Sequence, residues 1–173
     1  DNRHLTRAVL ASTDPSIPDQ DLTYVYDAVG NRIRTILNGE VTEYTTNNMN
    51  QYVQVGDRSS VFDADGNLIQ ETGPDGTTTY TYNHENRLVA VSRGDVVWQY
   101  IYDASGNRIA VDENAVSRYV VDPIGLGNVV GQYDAAGRLI ARYDHGYGLL
   151  SRMDVSGTAG YYTFDAIGNT SEL

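Results

Sequence analysis

The chain has 173 residues, 40% of them hydrophobic and 20% charged, with a formal net charge of −11 at pH 7. Cysteine is absent, which excludes disulfide scaffolds, cysteine-ligated zinc, iron–sulfur clusters and thiol catalysis. All 12 basic residues are arginine, set against 17 Asp and 6 Glu, so a phosphate-binding surface and nucleic acid as a partner are disfavoured. No apolar run approaches the ~20 residues of a membrane span, and with no initiator Met or signal peptide the chain is expected to be an excerpt or a processed piece.

In chain order, Asn2 to Thr6 reads as the second half of a repeating unit. The proline- and acid-rich stretch 11–21 reads as a surface loop inserted between strands. Tyr24-Val25-Tyr26-Asp27-Ala28-Val29-Gly30-Asn31-Arg32-Ile33 then recurs as Tyr100-Ile101-Tyr102-Asp103-Ala104-Ser105-Gly106-Asn107-Arg108-Ile109. Weaker copies place an Asp or Asn three residues before a Gly or Asn, giving the pairs Asp27/Gly30, Asn47/Asn50, Asp63/Gly66, Asn83/Asn86, Asp103/Gly106, Asp122/Gly125, Asp134/Gly137 and Asp165/Gly168. The second members are spaced 20, 16, 20, 20, 19, 12 and 31 residues apart, a basic period of about 20.

Each position has a physical reason. Asp opens a turn by accepting backbone N–H bonds, and Gly or Asn supplies the left-handed residue that closes a hairpin with a bulge. Where Gly is replaced, at Asn50 and Asn86, the substitute is the residue that tolerates that conformation best. Tyrosines two apart, as in Tyr24/Tyr26, Tyr80/Tyr82 and Tyr100/Tyr102, point to one face of a strand. Ile33, Val53, Ile69, Val89, Ile109 and Ile140 stand three residues after the turn-closing position, at the start of the returning strand. A second set of breakers, including Asn38-Gly39, Gly56-Asp57, Pro74-Asp75-Gly76, Arg93-Gly94-Asp95 and Glu113-Asn114, lies between these turns. Tyr147-Gly148 and Asp154 to Gly157 continue that set. The expected fold is all-β with very little helix: consecutive antiparallel β-hairpins forming a continuous sheet. Residues 22–110 form its regular part and 111–173 an irregular part. Among 14 Tyr beside 2 Phe and 1 Trp, ten occupy two repeat positions. The preference for Tyr over Phe implies a face open to water or to a hydrated cavity.

The Tyr-x-Tyr-Asp-x-x-Gly-Asn/Arg-Leu/Ile units resemble the YD repeats of the RHS family over nearly the whole chain, and residues 122–170 resemble the segment leading into the RHS-associated core. That resemblance implies that the sheet is a spiralling one, a β-shell fragment, wall material of the kind that in bacterial toxins encloses a C-terminal toxic domain. The core and its self-cleavage aspartate would lie beyond Leu173, so the resemblance carries no catalytic residue onto this chain.

Other chemistry is weaker. His4, His84 and His145 share no ligand spacing, and Asp63 to Asn67 starts like a calcium loop but has Pro74 where the bidentate Glu belongs. The glycine-rich 122–131 segment lacks the Lys of a phosphate cradle. No cofactor or metal is expected, and no enzyme, because no residue set stands apart from the repeat. The leading expectation is a non-enzymatic structural module, secreted or surface-delivered in bacteria, cytoplasmic before delivery, whose partners are the remainder of its parent chain and a cargo domain. The alternatives are adhesion, with Tyr24, Tyr26, Tyr80, Tyr82, Tyr100 and Tyr102 facing a glycan or receptor, and a fibre self-associating through strand edges.

Overall fold

In the computed structural model, which describes residues 4–124, 127–146, 148–164 and 170–172, the chain divides into two units, Asp1–Tyr80 and Thr81–Leu173. No described residue is helical. The first unit contains β1 (Arg7–Leu10), β2 (Gln20–Tyr26), β3 (Arg32–Leu37), β4 (Glu40–Thr46), β5 (Tyr52–Val55), β6 (Arg58–Phe62) and β7 (Leu68–Gly73), and β8 (Gly76–Tyr82) runs through the boundary. The second contains β9 (Leu88–Arg93), β10 (Val96–Tyr102), β11 (Arg108–Asp112), β12 (Val116–Val121), β13 (Val129–Tyr133), β14 (Leu139–His145), β15 (Leu149–Asp154) and β16 (Ala159–Tyr161). A separate pair is formed by β17 (Thr163–Phe164) and β18 (Thr170–Glu172).

Within each unit every strand is antiparallel to its chain neighbours, β1 to β8 and β9 to β16 in sequence order. Consecutive hairpins, as the turn spacing predicts, therefore make an open antiparallel sheet. The stretch between β1 and β2 loops out over 11–19, while Gln20 and Asp21 already pair with Leu10 and Val9. There Asp21 takes both Nε and Nη2 of Arg7, at 2.8 and 2.7 Å.

Within each unit the strands form a single layer. Among the described residues the buried side chains are only Ala110, Ala141 and Ser151, and no large side chain is fully buried. What holds the layer is therefore strand pairing plus half-burial on one face. In β4, β8 and β10 the residues alternate strictly, with Thr42, Tyr44, Thr78, Tyr80, Trp98 and Tyr100 half-buried and Glu43, Thr79, Val97 and Ile101 exposed.

The residue three places after each turn-closing position has a specific job. Tyr26 pairs with Arg32 and Val25 with Arg34, so Ile33 is an extra, unpaired residue. The same register shift leaves out Val53, Ile69, Ile109 and Ile140. These β-branched residues are β-bulges, each of which kinks its strand and adds local right-handed twist. The recurring side chain thus marks a recurring backbone defect.

Candidate functional site

The repeated unit is built from the turn outward. Asp103 N–H donates to the Asn107 carbonyl at 2.9 Å, and the Gly106 N–H returns to the Asp103 carbonyl at 3.1 Å. The Asp103 carboxylate receives the N–H groups of Ser105 and Asn107, both at 2.9 Å, and the Asn107 side-chain amide at 3.0 Å. Asp27 and Asp63 repeat this set with Asn31 and Asn67. Asn47 and Asn83 accept the equivalent pairs of N–H groups with an amide oxygen.

The two turns that lack a closing glycine keep the same backbone. Asn50 and Asn86 are left-handed, at φ +59 and +57. The Asn86 N–H returns to the Asn83 carbonyl at 3.0 Å and the Asn50 N–H to that of Asn47 at 3.1 Å. Asn86 differs from Gly66 and Gly106, at φ +87 and +88, in holding a smaller positive φ, close to the αL minimum that a residue with a Cβ can occupy.

The bonds to the turn-opening carboxylates favour their ionised form. The Asn67 and Asn107 amides, with the turn N–H groups behind them, hold Asp63 and Asp103 below the usual carboxylate range. Desolvation acts upward on Asp27, and the Asn31 amide and turn N–H groups more than offset it. The Arg138 N–H and guanidinium do the same for Asp134, and the Ser156 hydroxyl for Asp154.

Two other turns differ from the sequence expectation. Asp154 N–H bonds Thr158, Gly157 N–H bonds Asp154, and the carboxylate takes the Ser156 and Thr158 N–H groups, so 154–158 is a full copy of the Asp turn and no mere breaker. The long gap after Gly137 is thereby divided into 20 and 11 residues. Met153 in place of the usual Tyr conceals this copy in the sequence. The Asp122 turn closes instead at Asn128, at 2.8 Å, with Gly127 at φ +77 in the closing position. Gly125, Asp165 and Gly168 lie outside the described residues.

Successive turns at one edge touch in a fixed pattern. The residue just after a turn-closing position reaches the turn-closing residue of the next repeat. Asn31 Nδ2 donates to Asn50 Oδ1 at 2.9 Å and Gln51 Nε2 to the Gly66 carbonyl at 3.0 Å. In the second unit Arg87, the residue after Asn86, packs on Gly106, and Asn107 packs on Gly127. The His4 ring packs the same way against Gly30, as expected of half a repeat preceding the loop.

The tyrosine face is tied across repeats too. Tyr26 and Tyr102, at the same repeat position, donate their hydroxyls to the carbonyls of Leu5 and Leu88, at 3.0 and 2.8 Å. The Tyr52 hydroxyl accepts the Arg32 N–H at 2.9 Å. The preference for Tyr over Phe at these three positions therefore reflects backbone partners; they do not require a water-filled face. Arginines cover the rings: Arg32 stands 4.9 Å from the Tyr24 centroid and 5.7 Å from that of Tyr44, Arg108 5.4 Å from Tyr100, and Arg87 5.9 Å from Tyr102. The rings of Tyr24, Tyr100 and Tyr102 thus already hold a cation. Tyr80 and Tyr82 are half-buried on one face of β8, each with interactions of its own.

Tyr133 departs from the stripe. Tyr119 pairs with Gln132, which puts Gln132 on the tyrosine face and Tyr133 on the opposite one. The cause is the short gap before Gly137, which leaves no room for an intervening turn. The Asp134 turn consequently sits at the opposite edge from Asp103 and Asp122. The sheet keeps growing in the same direction, so a hairpin moved to the other edge is rotated about the growth axis and its Tyr changes face. Met153, at the tyrosine position of the 154–158 copy, pairs with Arg142 on that same opposite face.

Single-layer sheets of hairpins linked turn to turn define a class, the β-repeat proteins whose units contact only their chain neighbours. Residues 62–95 match the family model of the RHS repeat. A search of the curated proteins finds no sequence relative. Among solved structures the chain is similar to TcdB2-TccC3 without its hypervariable C-terminal region, with a TM-score of 0.56, 15% identity, and 88% of this chain and 10% of that one covered. A second TcdB2-TccC3 crystal structure gives 0.53 and 12%, covering 87% and 11%. The Tc holotoxin pore of Photorhabdus luminescens gives 0.50 and 18%, covering 88% and 9%. At these identities the likeness is one of fold, and the chain spans about a tenth of each neighbour's length.

Proposed function

We propose that this segment is a non-enzymatic section of wall in an RHS-type shell that encloses a polypeptide carried by its own parent chain, in a secreted or surface-delivered bacterial protein. The observation that carries the reading is the single layer. A sheet whose only buried side chains among the described residues are two alanines and a serine, with Val97, Ile101 and Val120 exposed on one face, is built to be extended and covered and not to close a core of its own. The turn ladder supports it by coupling each repeat to the next. The acidic balance of −11 opposes nonspecific association of the outer surface.

The test uses the complete polypeptide that contains this segment. Enclosure requires the cargo region to resist protease until the repeats are unfolded by denaturant, with protection and strand signal lost together. A cargo digested at the same rate with the repeats folded and unfolded would refute it.

A further inference from the structure

One turn of the second set is left without a role by the wall reading. Asn38-Gly39 is the only Asn-Gly pair in the sequence, and every other asparagine precedes a residue that carries a side chain. Leu37 pairs with Glu40 across it, and Asn38 and Gly39 stand at φ +50 and +91. Positive φ at both central residues of a two-residue loop makes this a type I′ turn.

The Asn38 side chain reaches outside its own turn. Its Oδ1 accepts the Asp21 N–H at 2.8 Å, and its Nδ2 donates to the Asp19 carbonyl at 3.1 Å. The Asn38 N–H donates to the Asp21 carbonyl at 2.9 Å. One residue thus holds 19–21, the point where the 11–19 insertion rejoins the sheet at β2. Within the insertion Asp19 takes the Ser12 N–H at 2.8 Å, so fixing Asp19 also ties the far end of the loop.

Asn-Gly is also the pairing most open to deamidation, since no Cβ on the glycine hinders attack by its nitrogen. In that step the Gly39 nitrogen gives up its proton and bonds to Asn38 Cγ, the Cγ–Nδ2 bond breaks and ammonia leaves. Water then opens the five-membered imide at either carbonyl, giving Asp or isoaspartate, and nothing is oxidised or reduced. Ring closure needs the Gly39 nitrogen on the same side of the Cα–C bond as the Asn38 Cβ. A type I′ turn, with ψ of about +30° at its first central residue, holds the two nearly anti. The closed turn therefore blocks the reaction twice, by backbone conformation and by bonds to both atoms of the amide.

We propose that Asn38 is a modification site that acts as a covalent latch on the 11–19 insertion: deamidation proceeds only through the opened turn and then prevents the latch from closing. Asp at this position sets a carboxylate oxygen against the Asp19 carbonyl, in a stretch already carrying Asp19, Asp21 and Glu40. Isoaspartate adds a methylene to the main chain, which a two-residue loop between Leu37 and Glu40 cannot absorb without losing its register. The latch lies in the first unit and does not depend on enclosure of a cargo, so the protease assay above can fail without touching it.

Ageing the chain in mildly alkaline buffer, folded and in urea, with mass mapping of the tryptic fragment 35–58, tests the assignment. In urea Asn38 should exchange amide for carboxyl before Asn47, Asn48 or Asn50 of the same fragment. In the folded chain its rate should fall at least about tenfold, the worth of two ordinary hydrogen bonds that opening must break. Hydrogen exchange reads the consequence. In the aged chain and in Asn38→Asp the Asp21 amide should exchange at least about tenfold faster, while the amides of β7 keep their protection. Equal rates in the folded and unfolded chain would overturn the proposal, as would unchanged Asp21 exchange in the aged chain. Loss of protection at Asp21 and β7 alike would also overturn it, because Asn38 would then hold the whole unit and not the insertion.

Discussion

Gly106 and Gly137 close Asp turns of the same design, yet only the first has a neighbouring repeat packed on it. Both are left-handed, at φ +88 and +77. Replacing either by Ala introduces the strain of a left-handed Cβ, about 1 to 2 kcal/mol. At Gly137 nothing lies within 4 Å of the added carbon, so strain is the whole cost. At Gly106 the Cβ would meet Arg87 Nη2 at 2.5 Å and Cζ at 2.7 Å. These are the far end of a flexible side chain, so the guanidinium moves and forfeits what it now makes. That is its seat over Tyr102 at 5.9 Å, worth about 0.5 to 1 kcal/mol, and a partly exposed ion pair with Glu85 at 2.9 Å, worth about 0 to 1 kcal/mol. Gly106→Ala should therefore cost about 0.5 to 2 kcal/mol more than Gly137→Ala, for which strain alone costs about 1 to 2. Both residues lie in the second unit, so urea midpoints read at constant m compare the same transition. In an Arg87→Ala background the excess at Gly106 should vanish. Equal costs in the parent chain, or an excess that survives loss of Arg87, would show that the turn ladder carries no coupling.

Asp103→Asn should be tolerated far better than Asp103→Ala, since Asn47 and Asn83 hold the same two turn N–H groups without a charge; equal falls in melting temperature would refute this. Acid should destabilise the fold. Asp27, Asp63, Asp103, Asp134 and Asp154 are held below the ordinary value of 3.8, so the folded state binds fewer protons than the unfolded one near that pH. Their stabilisation is full above 3.8 and is lost as pH falls through the depressed values; a urea midpoint unchanged between pH 6 and pH 3 would contradict it. Tyr102→Phe should cost about 0.5 to 1.5 kcal/mol by removing the hydroxyl bond to Leu88. Tyr161→Phe, at a residue 70% exposed, should leave the midpoint where it is.

The hairpins were legible because their chemistry is local. An Asp that accepts N–H groups two and four residues ahead, and a Gly or Asn that turns left-handed, make the same turn wherever they occur. Asn86 could be read as a closing residue for that reason, although the copy around it has neither the opening Asp nor the closing Gly. The β-branched position after each turn was legible as a position but not as a bulge, because an unpaired residue shows only in the register of the partner strand. The 154–158 turn was obscured because Met153 and Thr158 replace the usual Tyr and Asn or Arg, although its opening Asp and closing Gly are in place. The Asp122 turn offered two glycines, Gly125 and Gly127, and Asn107 of the preceding repeat packs on the second. The covering of tyrosines by arginines brings together Arg87 and Tyr102 from adjacent repeats, a contact that no single copy contains.

The change of face at Tyr133 shows how arithmetic on the gaps carries three-dimensional information. A period of about 20 residues contains two strands and two turns, so the Asp turns of regular repeats return to one edge and their tyrosines to one face. A gap of 12 holds one strand and one turn, which brings the next Asp turn to the other edge. Growth in a constant direction then forces the rotation that carries Tyr133 and Met153 to the opposite face. One shortened repeat thus ends the aromatic stripe without ending the sheet. Up to that point each covering arginine comes from the tyrosine's own copy, as Arg32 on Tyr24 and Arg108 on Tyr100, or from the preceding one, as Arg32 on Tyr44 and Arg87 on Tyr102.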